Sequence, residues 1–338
     1  MRSAARPPGC GGESVPRRAS LPTPHELAIP DRFPPMAIPP DNPMTEEGVA
    51  LGRRLFFDPI LSADGTTSCA SCHRPEFAFS DPEAVSRGGA GSTRRNSMTL
   101  ANAGWSLSLF WDGRAASLED QALQVVESPV EMGESWENVE RKLRAHPEYP
   151  GEFRRAFGDV PVTRDNAVRA IAQFERTLIS GGAKFDRVLA GQEQFTEVEE
   201  LGLELFFSER GDCFHCHGTL LFTDGDFHNT GLDEAPADSG RVAVTGRRLD
   251  YGKFKSPTLR NVEYTAPYMH DGRFPTLEEV VDHYDSGLHL NEFLDPLLLR
   301  FREPRNFTRE EREALIAFML TLSDPGFVSA GLLPLPGE

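Results

Sequence analysis

One five-residue motif occurs twice in this chain, and it limits the possible folds more than any other feature. The motif reads CASCH at residues 69–73 and CFHCH at residues 213–217, which places the two copies 144 residues apart. Two amphipathic helix patterns, at residues 170–178 and 314–322, show the same displacement. A repeat of this length indicates a duplicated structural unit. Two triplets recur as well: LFF at residues 55–57 and 205–207, and DGR at residues 112–114 and 271–273.

The repeated unit predicts an all-α, mainly helical fold. Each copy holds an apolar helix, the cysteine motif, a loop rich in Gly and Pro, and two further helices, whereas alternating strand patterns are scarce. Residues 241–245 are the stretch in which we expect β structure, if any forms. We predict four segments: a Pro-rich arm at 1–45, a first domain at 46–190, a second domain at 191–325 and a tail at 326–338.

Length and charge exclude several classes of protein. With 338 residues, the chain can form two domains that each bury an apolar core. Its 52 acidic residues outnumber the 35 basic ones, and a net charge of −17 repels phosphate backbones, so we expect no nucleic acid partner. No apolar stretch reaches the roughly 18–20 residues of a transmembrane segment. The charge instead suits a basic protein partner.

The two motifs have the spacing that attaches haem covalently. In a C-x-x-C-H sequence the thiols lie one helical turn apart, so both can bond to one haem while the histidine binds its iron. Two alternatives are a zinc site formed by all four paired cysteines and a pair of redox disulfides, although neither explains the histidine after each pair. We therefore expect two covalently bound haem c groups, one on Cys69, Cys72 and His73, the other on Cys213, Cys216 and His217.

The chain resembles the bacterial di-haem cytochrome c peroxidase and MauG family over most of residues 46–325. The resemblance implies two duplicated cytochrome c-like domains, each with one covalently bound haem c, in a protein that works in the periplasm. Four stretches carry it besides the haem motifs: FWDGR at 110–114, PVEM at 129–132, SPTLRN at 256–261 and APYMHDG at 266–272.

By this resemblance, His73 and His217 are the proximal ligands of an N-terminal and a C-terminal haem. Many family members carry a distal histidine about sixteen residues after the first motif. This chain has Gly89 there and no histidine between His73 and His146. We therefore expect an open N-terminal haem that reacts with peroxide and a C-terminal haem that transfers electrons.

The family places the sixth ligand of the second haem in the helix after the second DGR, as Met in peroxidases and as Tyr in MauG-like members. This chain has Tyr284 there, and Leu277, Val281 and Tyr284 share one helix face. Thr276 and Glu279 predict a capping box at the start of that helix. A phenolate ligand favours higher iron oxidation states, whereas Met raises the haem potential.

Other assignments stay open around this haem. Tyr284 could be a buried tyrosine with a hydrogen-bonded hydroxyl, and Met269, His270 or His283 could be the ligand instead. We expect His270 to lie near a haem propionate rather than on iron.

The resemblance also assigns residues outside the haem motifs. Glu131 would move protons during peroxide cleavage, Gln121 would orient peroxide or water, and Trp111 would lie between the haems. Each residue type also occurs without such roles, as a surface carboxylate, a solvated helix residue or a core indole. The family's calcium site corresponds to Asn96, Thr265 and Pro267, which offer the oxygen ligands that Ca²⁺ prefers.

Three functions fit these expectations. The leading hypothesis is a peroxidase that reduces hydrogen peroxide at the N-terminal haem, with electrons relayed through the C-terminal haem and Trp111 from a small redox protein such as a cytochrome c. The alternative is a MauG-like enzyme that uses peroxide to oxidise Trp or Tyr of a partner protein. The third is a non-catalytic di-haem electron-transfer cytochrome. The resemblance is also compatible with a homodimer.

The N-terminal residues bear on localisation. Arg2 and Arg6 are not followed by an apolar region of the roughly 7–15 residues found in secretory signals. The expected site of action is nevertheless the periplasm, because haem attachment in this family follows export. Cys10, within PGCGG, would be a lipid-anchor site if the start of the chain is truncated.

Overall fold

The computed structural model describes residues 21–89 and 91–331, and over these residues the fold is almost entirely helical. The all-α prediction is therefore confirmed. Short 3₁₀ turns, such as Ala103–Trp105 and Val262–Tyr264, link several of the helices. The helices are α1 Glu46–Phe57, α2 Cys69–Cys72, α3 Leu118–Glu127, α4 Trp136–Ala145, α5 Tyr149–Phe157, α6 Arg164–Arg176, α7 Lys184–Leu189, α8 Glu197–Phe206, α9 Phe214–His217, α10 Val242–Thr245, α11 Leu277–Ser286, α12 Arg309–Leu320 and α13 Pro325–Gly331.

Apart from isolated β-bridges, the β structure of the described residues is limited to two small antiparallel sheets of two strands each. Strands β1 (Arg87–Gly88) and β2 (Gly91–Ser92) form one, and strands β3 (Phe227–His228) and β4 (Phe254–Lys255) form the other. The β prediction for residues 241–245 is wrong.

Those residues instead form α10, which ends at Gly246 in the left-handed conformation with φ 67°. Two side-chain contacts favour the helix. Thr245 donates a hydrogen bond to Asp250, and the Arg241 guanidinium lies 3.6 Å from the centre of the Phe227 ring. A β pattern read from neighbouring residues alone could not include these longer-range contacts.

The same helix crossing occurs once in each half of the chain. In the first half α1 packs on α6, where Gly52 lies against the carbonyl of Ala170; a Cβ on Gly52 would be 1.8 Å from that oxygen. In the second half α8 packs on α12, where a Cβ on Gly202 would be 1.9 Å from the Ala314 oxygen. The duplication seen in the sequence is therefore a duplication of packing.

Two apolar cores surround these crossings. The first involves Leu55, Phe56 and Phe174, and the second involves Phe206 and Phe318. Phe residues dominate the second core, with ring centroids 4.9–6.3 Å apart in edge-on and tilted pairs. Each core is built mostly by one repeat unit, with contributions from the chain ends and from α7.

The chain ends cross between the halves. Residues 21–45 form no helix, as expected for the arm, but Phe33 is buried between the Trp105 ring and the Arg260 guanidinium. The expected tail begins within α13, because residues 326–331 belong to this helix, and its Phe327 packs on Phe79 of the first half. Cys10 lies outside the described residues.

The predicted domain boundary between residues 190 and 191 stays a prediction. Phe185 of α7 already packs in the second core, against Phe222 and Phe318. Over the described residues, no helix by itself has the length and apolarity to cross a membrane; α12 and α13 meet those criteria only as a pair bent by 46°.

Candidate functional site

The first cysteine motif lies on a single helical turn that a capping box begins. Ser68 and Ser71 form the reciprocal hydrogen bonds of this box at the start of α2. The motif ends at His73, whose Nδ1 hydrogen-bonds the carbonyl of Phe79 at 3.0 Å. With Nδ1 engaged as a donor, Nε2 is the nitrogen that can bind a metal.

The second motif repeats this arrangement. Nδ1 of His217 hydrogen-bonds the carbonyl of Phe222 at 2.9 Å. Phe79 and Phe222 both adopt the left-handed conformation, with φ of 59° and 52°, which turns each carbonyl toward its histidine. The two proximal histidines are therefore held in the same way.

The loops that carry these carbonyls are held by a second repeated segment. The backbone N–H groups of Leu100 and Leu259 donate to the carbonyls of Phe79 and Phe222, each at 3.2 Å. The hydroxyls of the preceding threonines also donate to these loops: Thr99 to Ala78 at 2.5 Å and Thr258 to Leu221 at 2.6 Å.

A large cavity lies beside the first motif. Its outer part measures about 680 Å³, and its inner part, about 50 Å³, reaches Cys69 and Cys72. His73, Gln121 and Glu131 line both parts, so the structure brings these predicted site residues together. We refer to both parts together as the first cavity.

Glu131 is positioned for proton chemistry in this cavity. Burial raises the pKa of its carboxyl, and a hydrogen bond from Ser128 and the charge of Arg114 offset this only in part. The segment is held against β1: Gly89 donates to the Glu131 carbonyl at 3.0 Å, and a Cβ on Gly88 would be 2.3 Å from the Val130 oxygen.

A second cavity, about 220 Å³, lies beside the second motif. Tyr284 lines it, and burial raises the pKa of its hydroxyl above the ordinary range of tyrosine. Met269 and His270 also line it, so both stay alternative ligands. His283 does not line it, and its Nε2 hydrogen-bonds the carbonyl of Thr230 at 3.0 Å.

The helices after the two DGR triplets, α3 and α11, begin in the same way but present different side chains to the two cavities. Ser117 caps α3 and Thr276 caps α11, each by accepting a hydrogen bond from the third residue of its helix. The capping box predicted for Thr276 is therefore half formed, because Glu279 provides its N–H but no return bond from its side chain. When the two helices are aligned on their capping residues, Val125 of α3 corresponds to Tyr284 of α11. Val125 lines the first cavity, and Tyr284 lines the second.

Trp111 lies between the two cavities and lines both. It is 8% exposed, and its indole N–H donates to the carbonyl of Asn96 at 2.8 Å. Its ring meets His270 edge-on, with centroids 6.5 Å apart. His270 stacks on Phe254, and burial lowers the pKa of its imidazole to about 4, so the ring is neutral at pH 7.

The residues expected to bind calcium lie close to this junction. Asn96 lines both cavities, and Thr265 and Pro267 line the second. The side-chain amide of Asn96 donates to the carbonyls of Asp81 and Glu83, which directs backbone oxygens toward the same region. The calcium assignment stays a prediction.

The donor groups fit two covalently attached haems better than the alternatives. In each cavity two unbridged cysteines precede an imidazole whose Nδ1 is already engaged. The four paired cysteines line two separate cavities, so they form no common zinc site in the described residues. Arg305 lines the second cavity, and two of its buried nitrogens have no hydrogen-bond partner among the described residues, as expected where an anionic group belongs.

Sequence reasoning missed several residues of this region. Glu175 lines the first cavity, and buried Lys255 lies between the cavities. Arg260 is fully buried, donates to the Leu220 carbonyl at 2.8 Å and pairs with Asp186. The repeat contains a signal for two of them, since Glu175 and Arg260 each differ from the corresponding residue of the other half.

Comparisons with known proteins agree with this geometry. The family model described as "Di-haem cytochrome c peroxidase" matches residues 46–194. The methylamine utilization protein MauG of Methylorubrum extorquens is 41% identical over 306 residues, which cover 88% of this chain and 84% of that protein. The cytochrome-c peroxidase IdrP1 of a Pseudomonas species is 36% identical over 333 residues, covering 87% and 86%.

A solved structure is also similar over nearly its whole length. It is a MauG-like protein associated with microbial copper homeostasis, 37% identical, with a TM-score of 0.85, and the match covers 90% of this chain and 97% of that one.

Proposed function

Since this chain belongs to the di-haem cytochrome c peroxidase and MauG family, we propose that it is a MauG-type oxidoreductase that uses hydrogen peroxide to oxidise a partner protein. The observation that carries this choice is Tyr284, which lines the second cavity where the first has Val125. The sequence alone favoured a cytochrome peroxidase, whereas the burial of Tyr284 in this cavity supports the MauG-type alternative.

One set of side chains would hold the haems, and another set would act on peroxide. His73 and His217 would bind the irons through Nε2, and the four paired cysteines would hold the porphyrins. When bound, the two haems supply iron centres that exchange electrons with peroxide and with each other. Val125 offers no ligand atom to the first cavity, and the outer part of this cavity, about 680 Å³, has room for peroxide.

Glu131 and Gln121 then act on peroxide itself. The Glu131 carboxylate takes the proton from one peroxide oxygen and returns it to the other, which leaves as water. Burial helps because it brings the pKa of this carboxyl closer to neutral pH. The Gln121 amide can donate to peroxide from the neighbouring helix and hold it within reach of Glu131.

Trp111 would carry charge between the two halves. It lines both cavities, it is buried, and its only polar atom is already bonded to Asn96. An indole in this position shortens the distance that an electron must cross between the cavities. Electrons would reach it from a partner protein by way of the second cavity.

A second candidate is a cytochrome c peroxidase with a small basic cytochrome as donor. The net charge of −17 favours this reading, and so does the relation to IdrP1. The non-catalytic electron carrier is disfavoured because it requires both irons to be closed on both sides, whereas Gly89 and Val125 offer no ligand atom to the first.

Two further expectations belong to this proposal. We propose that Asn96, Thr265 and Pro267 hold one Ca²⁺ beside the junction of the cavities, since a side-chain amide oxygen and backbone carbonyl oxygens suit that ion. We also propose that the protein is periplasmic, because covalent haem attachment in this family follows export.

A protein of copper homeostasis is the first partner to test as a substrate, because the similar solved structure is a MauG-like protein associated with microbial copper homeostasis.

The test is stopped-flow spectroscopy of the haem-loaded protein mixed with one equivalent of peroxide, with and without reduced basic cytochrome c. We expect a long-lived oxidised spectrum that the cytochrome quenches slowly. Rapid, stoichiometric oxidation of the cytochrome would instead assign the cytochrome peroxidase function.

The Tyr284→Phe variant tests the observation on which the choice depends. We expect the oxidised spectrum to decay faster, and the ferric EPR spectrum to gain a second high-spin signal because one iron loses its ligand. Tyr264→Phe is the matched control, since Tyr264 lines neither cavity. An unchanged EPR spectrum in Tyr284→Phe would assign the ligand to Met269 or His270.

A further inference from the structure

Helices α6 and α12, the second helix of each crossing, contact the cavity of their own half at equivalent positions but with different side chains. Phe174 of α6 and Phe318 of α12 both pack against the glycine of the matching helix crossing, and the residues that follow them are Glu175 and Met319. These two residues are 144 positions apart, which is the displacement of the haem motifs.

Both residues line the cavity of their own half. Glu175 lines the inner part of the first cavity together with Cys69, Cys72 and His73. Met319 lines the second cavity together with the second motif. A carboxyl therefore occupies, beside the first redox centre, the place that a neutral thioether occupies beside the second.

The Glu175 carboxyl has an unusual environment for a charged group. The residue is 4% exposed, and its Oε2 has no hydrogen-bond partner among the described residues. Burial raises its pKa to about 8, Arg176 opposes this shift and Glu119 adds to it. An ionised carboxylate with an unpaired oxygen is costly in such a site, so the protonated form is favoured at neutral pH.

Of the charged and titratable groups around Glu175, those on α2 and α6 cannot exchange a proton in its place. Arg176, on the same helix, is already paired with Glu119 of α3 at 2.9 Å. Cys69 and Cys72 of α2 carry no ionisable thiol once they are bonded to haem. Glu131 faces the same inner cavity from the segment after α3 and is the other carboxyl that a test must separate.

Reduction of a haem adds one negative charge to its surroundings, and oxidation removes it. A buried carboxyl nearby responds by taking up or releasing a proton, since its ionised form is stabilised by positive charge and destabilised by negative charge. The effect needs a titratable group within the low-dielectric site, which Glu175 provides and Met319 does not.

We propose that Glu175 couples proton transfer to the redox change of the first haem: one electron enters the haem and one proton from solvent joins the Glu175 carboxylate, with the reverse on oxidation. The second haem has no such coupling from this position because its equivalent residue is Met319. The proposal depends on haem attachment at both motifs but not on the identity of the partner protein or on peroxide turnover.

The experiment is potentiometric titration of the haem-loaded protein between pH 5.5 and pH 9.5, followed by the separate optical or EPR signals of the two haems. The midpoint potential of the first haem should fall as pH rises, approaching the slope of one proton per electron in part of this range. Glu175→Gln, which keeps the shape and removes the proton site, should flatten that slope, and so should Glu175→Met, which copies the second half.

Two controls separate Glu175 from other groups. Met319→Leu should leave the slope of the first haem as in the unmodified protein, and Glu131→Gln should leave most of it. The proposal is overturned if the unmodified first haem has a pH-independent potential over the whole range, or if the slope survives in Glu175→Gln with both haems attached. The titration contains no peroxide, so its outcome is separate from that of the proposed enzyme activity.

Discussion

Single differences between equivalent residues give the two cavities different chemistry. Val125 in the first half corresponds to Tyr284 in the second, so only the second cavity offers a phenol oxygen from this helix. Trp111 and His270 follow equivalent positive-φ residues before the two DGR turns and meet edge-on where the halves join. The scaffold of the two sites is shared, and a few substitutions within it decide what each site can do.

Glu131 provides the sharpest test at this scale. Glu131→Gln should lower peroxide turnover by about 10²–10⁴-fold, because the amide cannot accept the proton that the carboxylate moves. In the unmodified protein the rate should fall as pH falls through the raised pKa of this carboxyl, above the ordinary value of 4.5, because the proton-accepting form is then lost. Steady-state peroxide assays across pH check both expectations.

Glu127→Gln is the matched control for that experiment, since Glu127 is exposed and lies four residues earlier on the same segment. Both variants should keep the absorption spectrum of two attached haems. Turnover of Glu131→Gln within a factor of two of the unmodified protein would remove Glu131 from the mechanism.

Helices and loops place these residues through contacts that occur in both halves. The left-handed residues Phe79 and Phe222 direct their carbonyls to the proximal histidines, and Leu100 and Leu259 donate to the same carbonyls. The residue after this leucine differs between the halves: it is Ala101 in the first half and the buried Arg260 in the second. That arginine ties the second loop to Asp186 of α7.

The two helix crossings lead to a stability prediction. Gly52→Ala and Gly202→Ala should each lower the free energy of unfolding by about 1–3 kcal/mol, because the new Cβ would overlap a backbone carbonyl and force the helices apart. Gly151→Ala in α5 is the control, since its Cβ would meet nothing closer than an Arg155 nitrogen at 3.7 Å. It should be neutral or stabilise by about 0.5–1 kcal/mol.

Urea unfolding followed by circular dichroism measures all three variants. Equal stabilities for Gly52→Ala and Gly151→Ala would show that the crossing tolerates a wider separation than the structure implies.

At the scale of the whole molecule, the halves are joined by polar contacts near the cavities as well as by the chain ends. Arg95 of the first half pairs with Asp238 of the second through two hydrogen bonds of 2.8 Å and also binds Asp112. Asn102 of the first half and Asn261 of the second both bind Ser180, which lies between α6 and α7. Asp112 directly follows Trp111, so the Arg95 contacts link the two halves next to the indole that lines both cavities.

The net charge predicts how the molecule meets a partner. The rate at which the peroxide-treated protein oxidises a basic cytochrome c, whether fast or slow, should fall roughly tenfold as ionic strength rises from low to physiological values. The reason is that salt screens the attraction between the acidic surface and the basic probe. An acidic cytochrome of similar size is the control and should show the opposite trend. A rate for the basic probe that is independent of salt would exclude electrostatic steering.

The sequence by itself determined the features that depend on neighbouring residues. Both haem motifs, the helices around them, the capping residue Thr276 and the inward position of Tyr284 follow from short spacings and helical periodicity. The tertiary structure decided which distant segments share a cavity: Glu131 and Gln121 with His73, Trp111 with both sites, and Glu175 with the first motif. Residues so far apart in sequence come together through the packing of whole helices, and burial, which sets the protonation of Glu131 and Glu175, exists only after that packing has formed.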